Sequence, residues 1–366
     1  MTAAQSSHDY NARYAELVTV RRERESKAKR GMIAEEAISD YGRVLYSPAF
    51  RRLQLKTQVF PLEDNASVRS RLTHSLEVAH IGHRIASNIA RTLKLDTDTA
   101  TAFVTFAETA CLCHDLGNPP FGHFGETAIQ DWFKRQKSNI QLLASNDDVH
   151  LFSTELLPDF LLFDGNPQGM RIIMRLARGN DEFGLNLTHT QLASALKYTC
   201  APNHTDKNTY FQKKPGYFSS EKWRVASIRK SMKMADNARH PISLIMEAAD
   251  DIAYCMSDIE DAVEKKLITA DTFRTELTEI WTKRRNKTAD AILDELVKTE
   301  GGLLEFKVAF SELAIKRSTD LYIKNHQQII DGQATQPILR MDPAMSEFLE
   351  CLGLFCRRRV YTASEL

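Results

Sequence analysis

At 366 residues the chain can bury a large core, as one large domain or two. Its 48 Lys and Arg balance 48 Asp and Glu, so net charge gives no indication of a nucleic-acid partner, and 43% hydrophobic content suits a globular protein in water. No apolar run has transmembrane length, no signal-peptide pattern opens the chain, and the six cysteines form no Cys-x-x-Cys pair, which favours a cytoplasmic location, free thiols and no membrane partner.

Taken in chain order, residues 1–40 read as a polar arm. The His8–Asp9 pair lies there with no apolar periodicity around it and reads as solvated, and RRERESKAKR at 21–30 reads as a solvated helix face or mobile arm. Ser47–Pro48 is an N-cap followed by Pro at the first helical position, which opens a helix through Arg51, Arg52 and Leu53. TQVFPL at 57–62 is the best strand signal in a chain with few of them. Sparse Gly and Pro and long helical periodicities predict an all-α, mainly helical protein with few short strands.

The run SRLTHSLEVAHIGHRIA follows. Val78, Ile81, Ile85 and Ile89 lie four, seven, eleven and fifteen residues after His74, one face of a 3.6-residue helix. His74 therefore enters on the core face, whereas His80 and His83 fall on the far side and read as surface histidines. A helix after Asp96 places Phe103, Ala107 and Ala110 on one face leading to His114, and Gly117 with Pro119–Pro120 then stops it. His114 and Asp115 thus sit at a helix end, where a pocket can open. Residues 136–165 look looser, with SNDD and DGNP turn signals, and 200–222 is irregular and basic.

From Ile242 to Val263, Ile242, Ile245, Ala249, Ile252, Met256, Ile259 and Val263 form an apolar stripe beside a polar one of Glu247, Asp250, Asp251, Tyr254, Asp258 and Asp261. Such an acidic stripe is usually a solvated face. Here a tyrosine stands among the acids, and AADDIAY is bounded by buried-type residues on both sides. Either histidine alone reads equally well as a core residue bonded to a carbonyl. A His, a His-Asp pair and a distant Asp together make a divalent-metal site that can activate water against a phosphate ester.

At these residues the chain resembles the HD-domain deoxynucleoside triphosphate triphosphohydrolases, specifically the bacterial dGTPases. The matching runs are SPAFRRLQLKTQVFPLEDNASVRSRLTHSLEV, HDLGNPPFGHFGE, FDGNPQG, KKPGYF and IMEAADDIAYCMSDIEDAVEK, spanning roughly residues 40–268. The resemblance implies an HD-type phosphohydrolase core over 41–300 and metal ligands at His74, His114, Asp115 and Asp250. Asp250 is preferred to Asp251 because the family's last ligand stands four residues before a substrate-contacting tyrosine, here Tyr254. The resemblance further implies His123 as the catalytic histidine with Glu126 as its acidic partner, and Arg71 on a phosphate. Gln58 is implied at the 3′ side of the deoxyribose, with Tyr254 and Asp258 as a sugar wall that disfavours ribose. Asn166, Lys197, Tyr198 and Lys214 fall in matching runs as candidate phosphate contacts. After about residue 300 the resemblance thins, and 301–366 is expected as a helical segment shorter than in the family.

The implied reaction is attack of water on the α-phosphorus of dGTP or another dNTP, releasing deoxynucleoside and inorganic triphosphate. The N/O donor set suits Mn²⁺ or Mg²⁺, with Fe²⁺ also fitting. A homo-oligomer is expected. The alternatives are an HD nucleotidase or phosphodiesterase, and a nucleotide- or nucleic-acid-binding form with little activity.

Overall fold

The computed structural model describes residues 12–28, 30–63, 65–143, 152–177, 181–285, 290–298 and 301–362; the His8–Asp9 pair lies outside them. The principal helices are α1 (Ile33–Leu45), α2 (Arg71–Leu93), α3 (Thr97–Cys113), α4 (Gly122–Leu143), α5 (Lys222–Ser231), α6 (Pro241–Glu264), α7 (Ala270–Arg284), α8 (Leu303–Lys324) and α9 (Pro343–Arg359). None of the described helices is long and apolar enough to cross a membrane.

The centre of the fold is α6, packed against α2, α3, α8 and α9. Its expected apolar stripe is buried, with Ile242, Ile245, Ala249, Ile252, Met256 and Ile259 almost without exposure. The polar stripe is not solvated: Glu247, Asp258 and Asp261 are buried as well. Each has an ionic or hydrogen-bonding partner, which is the condition for holding a carboxylate inside a fold. Arg239 pairs with Glu247, Arg69 with Asp261 and Tyr361 with Asp258.

Helices α2 and α3 form the other half of the site's frame. A capping box of Ser70 and Thr73 starts α2, and its face of Val78, Ile81, Ile85 and Ile89 is buried as expected. His80 and His83 are exposed, again as expected. Asp96 caps α3 by accepting from Thr99 N at 3.0 Å. Phe103, Ala107 and Ala110 are fully buried, and the helix ends at Cys113 with His114 as its cap. Gly82 lets the two helices meet closely, since a Cβ there would stand 2.5 Å from Cys111 Sγ. The N-terminus of α1 has no cap from its own side chains. Asp98 of α3 supplies it instead, accepting from Ile33 N and Ala34 N at 3.0 and 2.9 Å.

Three expectations are corrected. TQVFPL forms no strand; Thr57 makes one isolated bridge to Ser70, and the chain turns through Leu62 at φ +54°. A β-prone run without a neighbouring strand has no ladder to join, and Pro61 lacks an N–H to donate. The charged run 21–30 is not simply solvated. Arg22 is buried and donates to Glu36, to Asp40 and to the Asn186 carbonyl, each at 2.5 Å. Tyr14, Leu17 and Val18, just before it, are in the core. The stretch 136–165 is more helical than its turn signals suggest: α4 runs to Leu143, and helical turns cover Phe152–Leu156 and Leu157–Leu161, while 144–151 lie outside the described residues. The irregular reading of 200–222 agrees with the structure, which has only short 3₁₀ turns there. The Ser47–Pro48 start also agrees: Ser47 Oγ accepts from Phe50 N at 3.1 Å.

Candidate active site

Helix periodicity brings three donor side chains together. His74 comes from the first turn of α2, and His114 and Asp115 from the end of α3; one ligand atom from each lies within 4.8 Å of the others. The imidazole rings stand edge to face with centroids 5.3 Å apart. Asp250, from the middle of α6, presents Oδ1 at 3.5 Å from His74 Nε2 and 3.6 Å from His114 Nε2. Asp251, one residue on, points into a different environment, where burial and then Glu247 push its carboxyl up to about 7.

The donor atoms suit a metal cation. His114 Nδ1 lies 2.6 Å from the Cys111 carbonyl, which can only accept, so Nδ1 carries the proton and Nε2 keeps its lone pair. His114 Nε2 and both ring nitrogens of His74 are buried without a hydrogen-bond partner. Buried polar atoms left this way are costly, and a divalent ion among them is the simplest partner. Burial disfavours a charged His74, but the nearby Asp250 carboxylate, and then Asp115, raise its pKa nonetheless. The same carboxylates favour a cation at this point.

Two basic residues hold the acids. Arg71 Nη1 donates to Asp115 Oδ2 at 2.6 Å, and Lys197 Nζ to Asp250 Oδ2 at 2.8 Å. Burial works against an ionised Asp115, yet Arg71 and the two histidines outweigh it and hold the carboxyl down at about 2. Asp250 is likewise held well below the usual range, with Lys197 the strongest influence against burial. Asn118 donates to the other oxygen of Asp115, and Lys56 Nζ anchors the loop by donating to the Asn118 carbonyl at 2.6 Å.

The loop after α3 carries the next pair. Phe121 and Gly122 take φ +65° and +52°, and a Cβ on Gly122 would meet Arg71 Nη2 at 2.6 Å. Glycine there satisfies both the backbone and the guanidinium. His123 follows, its side chain 82% exposed, with Nδ1 2.6 Å from Glu126 Oε2. Glu126 is buried, and its Oε1 accepts from Gly165 N at 2.7 Å. The carboxylate thus fixes the histidine tautomer and leaves Nε2 facing outward.

These side chains open on one cavity of about 760 Å³. Every residue singled out from the sequence lines it except Asp258. Lys214 is tied to Asp164 at 2.8 Å, and Asn166 Nδ2 donates to the same carboxyl at 2.6 Å. Tyr198 is nearly buried, and Gln58 has a buried Oε1 without a partner. Asp258 is fully buried and touches the cavity wall through Tyr361, whose hydroxyl is 2.5 Å from Asp258 Oδ2 and 2.7 Å from the Tyr254 hydroxyl. Burial pushes the Asp258 carboxyl up to about 7, with the Tyr361 hydrogen bond acting the other way. Sequence reasoning missed Asn118, Lys56 and Tyr361. The first two lie inside runs already singled out, as an Asn three residues after Asp115 and a Lys two before Gln58. Nothing in the sequence around Tyr361 marks it.

Among known proteins, residues 71–147 match the HD domain family. The chain is 42% identical over 272 residues to the deoxyguanosinetriphosphate triphosphohydrolase of Salmonella arizonae, an alignment covering 66% of this chain and 53% of that protein. It is equally similar, over 273 residues, to the Salmonella typhimurium protein of the same name. It therefore spans about half the length of these curated relatives. The Enterobacter sp. (strain 638) protein of that name aligns over 365 residues at 35% identity, covering 88% of this chain and 71% of that protein. With the all-helical HD frame and this extent of similarity, the chain belongs to the deoxyguanosinetriphosphate triphosphohydrolase family.

Proposed function

We propose that the cavity binds a deoxynucleoside triphosphate, dGTP foremost, and hydrolyses it to deoxynucleoside and inorganic triphosphate. The observation that carries this reading is the joining, in one cavity, of a His-His-Asp cluster with orphaned ring nitrogens and a carboxylate-oriented histidine. His74, His114, Asp115 and Asp250 would hold a divalent ion, which when bound polarises a phosphate oxygen and lowers the pKa of a nearby water. Mn²⁺, Mg²⁺ and Fe²⁺ all suit two imidazoles and two carboxylates.

The chain's own groups do the rest. A triphosphate carries close to four negative charges, and Arg71, Lys197 and Lys214 line the cavity to offset them. Arg71 and Lys197 already neutralise Asp115 and Asp250, so a dication at the carboxylates would free them to face the substrate. Water oxygen bonds to the α-phosphorus as the bond to the 5′ oxygen breaks. His123 in its charged form, with Glu126 holding Nδ1–H, gives its Nε2 proton to that leaving oxygen, and the proton lost by the attacking water restores it. Tyr254 stands at the cavity wall one helical turn past Asp250, where its ring leaves little room for a 2′-hydroxyl. Gln58, with its unpartnered Oε1, is placed to accept from the sugar.

A cytoplasmic homo-oligomer belongs to the same reading. Outside the cavity, Leu55 and Trp223 are 92% and 62% exposed, apolar surface that a second copy would cover. Light scattering of the purified protein checks the assembly. The test of function is product analysis for each of the four dNTPs with Mn²⁺ and with Mg²⁺. Inorganic triphosphate supports the proposal. Orthophosphate release instead makes the protein a nucleotidase, and nucleotide binding without product makes it a binding protein.

A further inference from the structure

Tyr361 is the last cavity-lining residue among those described and lies 107 positions from its partner at the wall, Tyr254. Its hydroxyl is 2.7 Å from that of Tyr254 and 2.5 Å from Asp258 Oδ2. A phenol carries one proton, and an ionised carboxylate only accepts. The Tyr361 proton therefore goes to Asp258 while that carboxyl is ionised, with Tyr254 donating the second bond, and to Tyr254 when the carboxyl, pushed up to about 7, is itself the donor; the Tyr361 hydroxyl bridges the two either way. The result is a relay of oriented hydroxyls ending on a carboxyl that is fully buried in α6. Asp258 cannot move, because it lies in the middle of the central helix. Tyr254 can: it is 39% exposed, on the cavity side of the same helix, and its hydroxyl is held at 2.7 Å by that of Tyr361, with Asp258 also in reach.

We propose that Tyr361 is a positioning residue that sets substrate selectivity. It holds the Tyr254 ring in one orientation against the cavity, by bridging the Tyr254 hydroxyl to Asp258. The C-terminal end of α9 thereby contributes to choosing the sugar, although it lies outside the 71–147 segment that carries the HD match. A tyrosine that blocks a 2′-hydroxyl by sterics works only while its ring is fixed; a ring free to rotate about its side-chain torsions yields the space. Losing the bridge should therefore relax discrimination more than it slows the reaction. This inference rests on the deoxynucleotide reading of the cavity.

The test compares wild type with Tyr361→Phe, Tyr361→Ala, Tyr254→Phe and the double variant Tyr361→Phe/Tyr254→Phe. Tyr361→Phe keeps the ring and loses the bridge. Its ratio of kcat/KM for dGTP over GTP should fall about 3- to 10-fold, the worth of one hydrogen bond. Most of that change should come from KM; the melting temperature should fall too, because the buried Asp258 loses its partner, whereas Tyr254→Phe leaves that bond in place and should stay nearer wild type. Tyr254→Phe removes the same bond from the other side and should give a similar ratio. The double variant should be no worse than either single one, because both cut one interaction. An unchanged ratio in both Tyr361 variants overturns the proposal, and so does full additivity in the double variant. If wild-type protein releases no triphosphate from any dNTP, the parent reading fails separately. The proposal is then decided by equilibrium dialysis of dGTP and GTP, where the same narrowing of affinities is expected and equal affinities in wild type would overturn it.

Discussion

Asp250 and Asp251 are neighbours on one helix, yet they meet different surroundings. Asp250 faces both imidazoles and Lys197, whereas Asp251 is half-buried near Glu247. Asp250→Asn keeps the shape and removes the charge. It is expected to lower bound Mn²⁺, measured by metal analysis after dialysis, by at least about 10-fold, the scale seen when even the groups supporting a metal ligand are lost. Asp251→Asn should retain the metal. The reverse order would show that the wrong carboxylate of α6 has been given to the cluster. His123 is exposed and touches neither cluster histidine, so its loss should spare metal binding. His123→Ala is expected to reduce kcat by about 10²–10⁴-fold, as for other general acid–base groups, with metal content unchanged. An unaltered kcat would take His123 out of the reaction and leave it a structural residue at the start of α4.

At the scale of elements, the contact between α2 and α3 sets the distance between the histidines they carry. Gly82 makes that contact possible, and the residue it faces, Cys111, also supplies the carbonyl that orients His114. Gly82→Ala places a methyl 2.5 Å from Cys111 Sγ. Overpacking of this kind costs about 1–3 kcal/mol, partly offset by the better helix propensity of Ala. Urea unfolding should show the loss, and Mn²⁺ affinity should weaken with it because the cluster spreads. Full stability together with full affinity would mean that the helices part without disturbing the histidines. Helix α6 makes the complementary point. Its acids are buried not because the stripe is apolar but because Arg239, just before the helix, and Arg69 and Tyr361, from elsewhere in the chain, reach them.

For the molecule as a whole, His240 ties the N-terminal residues to the central helix. Its Nε2 lies 3.0 Å from the Leu17 carbonyl and must donate; its Nδ1 accepts from Ile242 N at 3.3 Å and so caps α6. Burial pulls its pKa down to about 4 from the ordinary 6.5. The folded value lies below the unfolded one, so this stability is present above about pH 6.5 and is lost as pH falls toward 4. The loss is on the order of 3 kcal/mol when complete, at about 1.4 kcal/mol per unit. His189 and His326 are also pulled down to about 4, chiefly by burial, and add to the loss in the same window. Asp251 and Asp258, pushed up to about 7, act the opposite way in this window, so the His240 share is read as a difference: between pH 7 and pH 5 the urea midpoint of wild type should lose more, or gain less, than that of His240→Asn, which keeps a capping side chain. An identical slope in the variant would show that His240 does not titrate with unfolding.

Local pattern was enough to orient most of the cluster. The 3.6-residue spacing of Val78, Ile81, Ile85 and Ile89 turns His74 inward, and Phe103, Ala107 and Ala110 do the same for His114, because an amphipathic helix buries one face whatever it packs against. The cap at Ser47 is legible for a related reason: it acts within one turn of chain. Period alone left Asp250 and Asp251 undecided, since both lie on the polar side of α6, and the preference for Asp250 came from resemblance. Tertiary structure decided what depends on distant partners. TQVFPL had strand propensity but no strand to pair with, and Arg22 looked solvated until Glu36, Asp40 and Asn186 enclosed it. Tyr361 carries no local signal at all. It joins the site because α9 packs on α6 and brings its hydroxyl to Tyr254 and Asp258, a juxtaposition that no window of sequence contains.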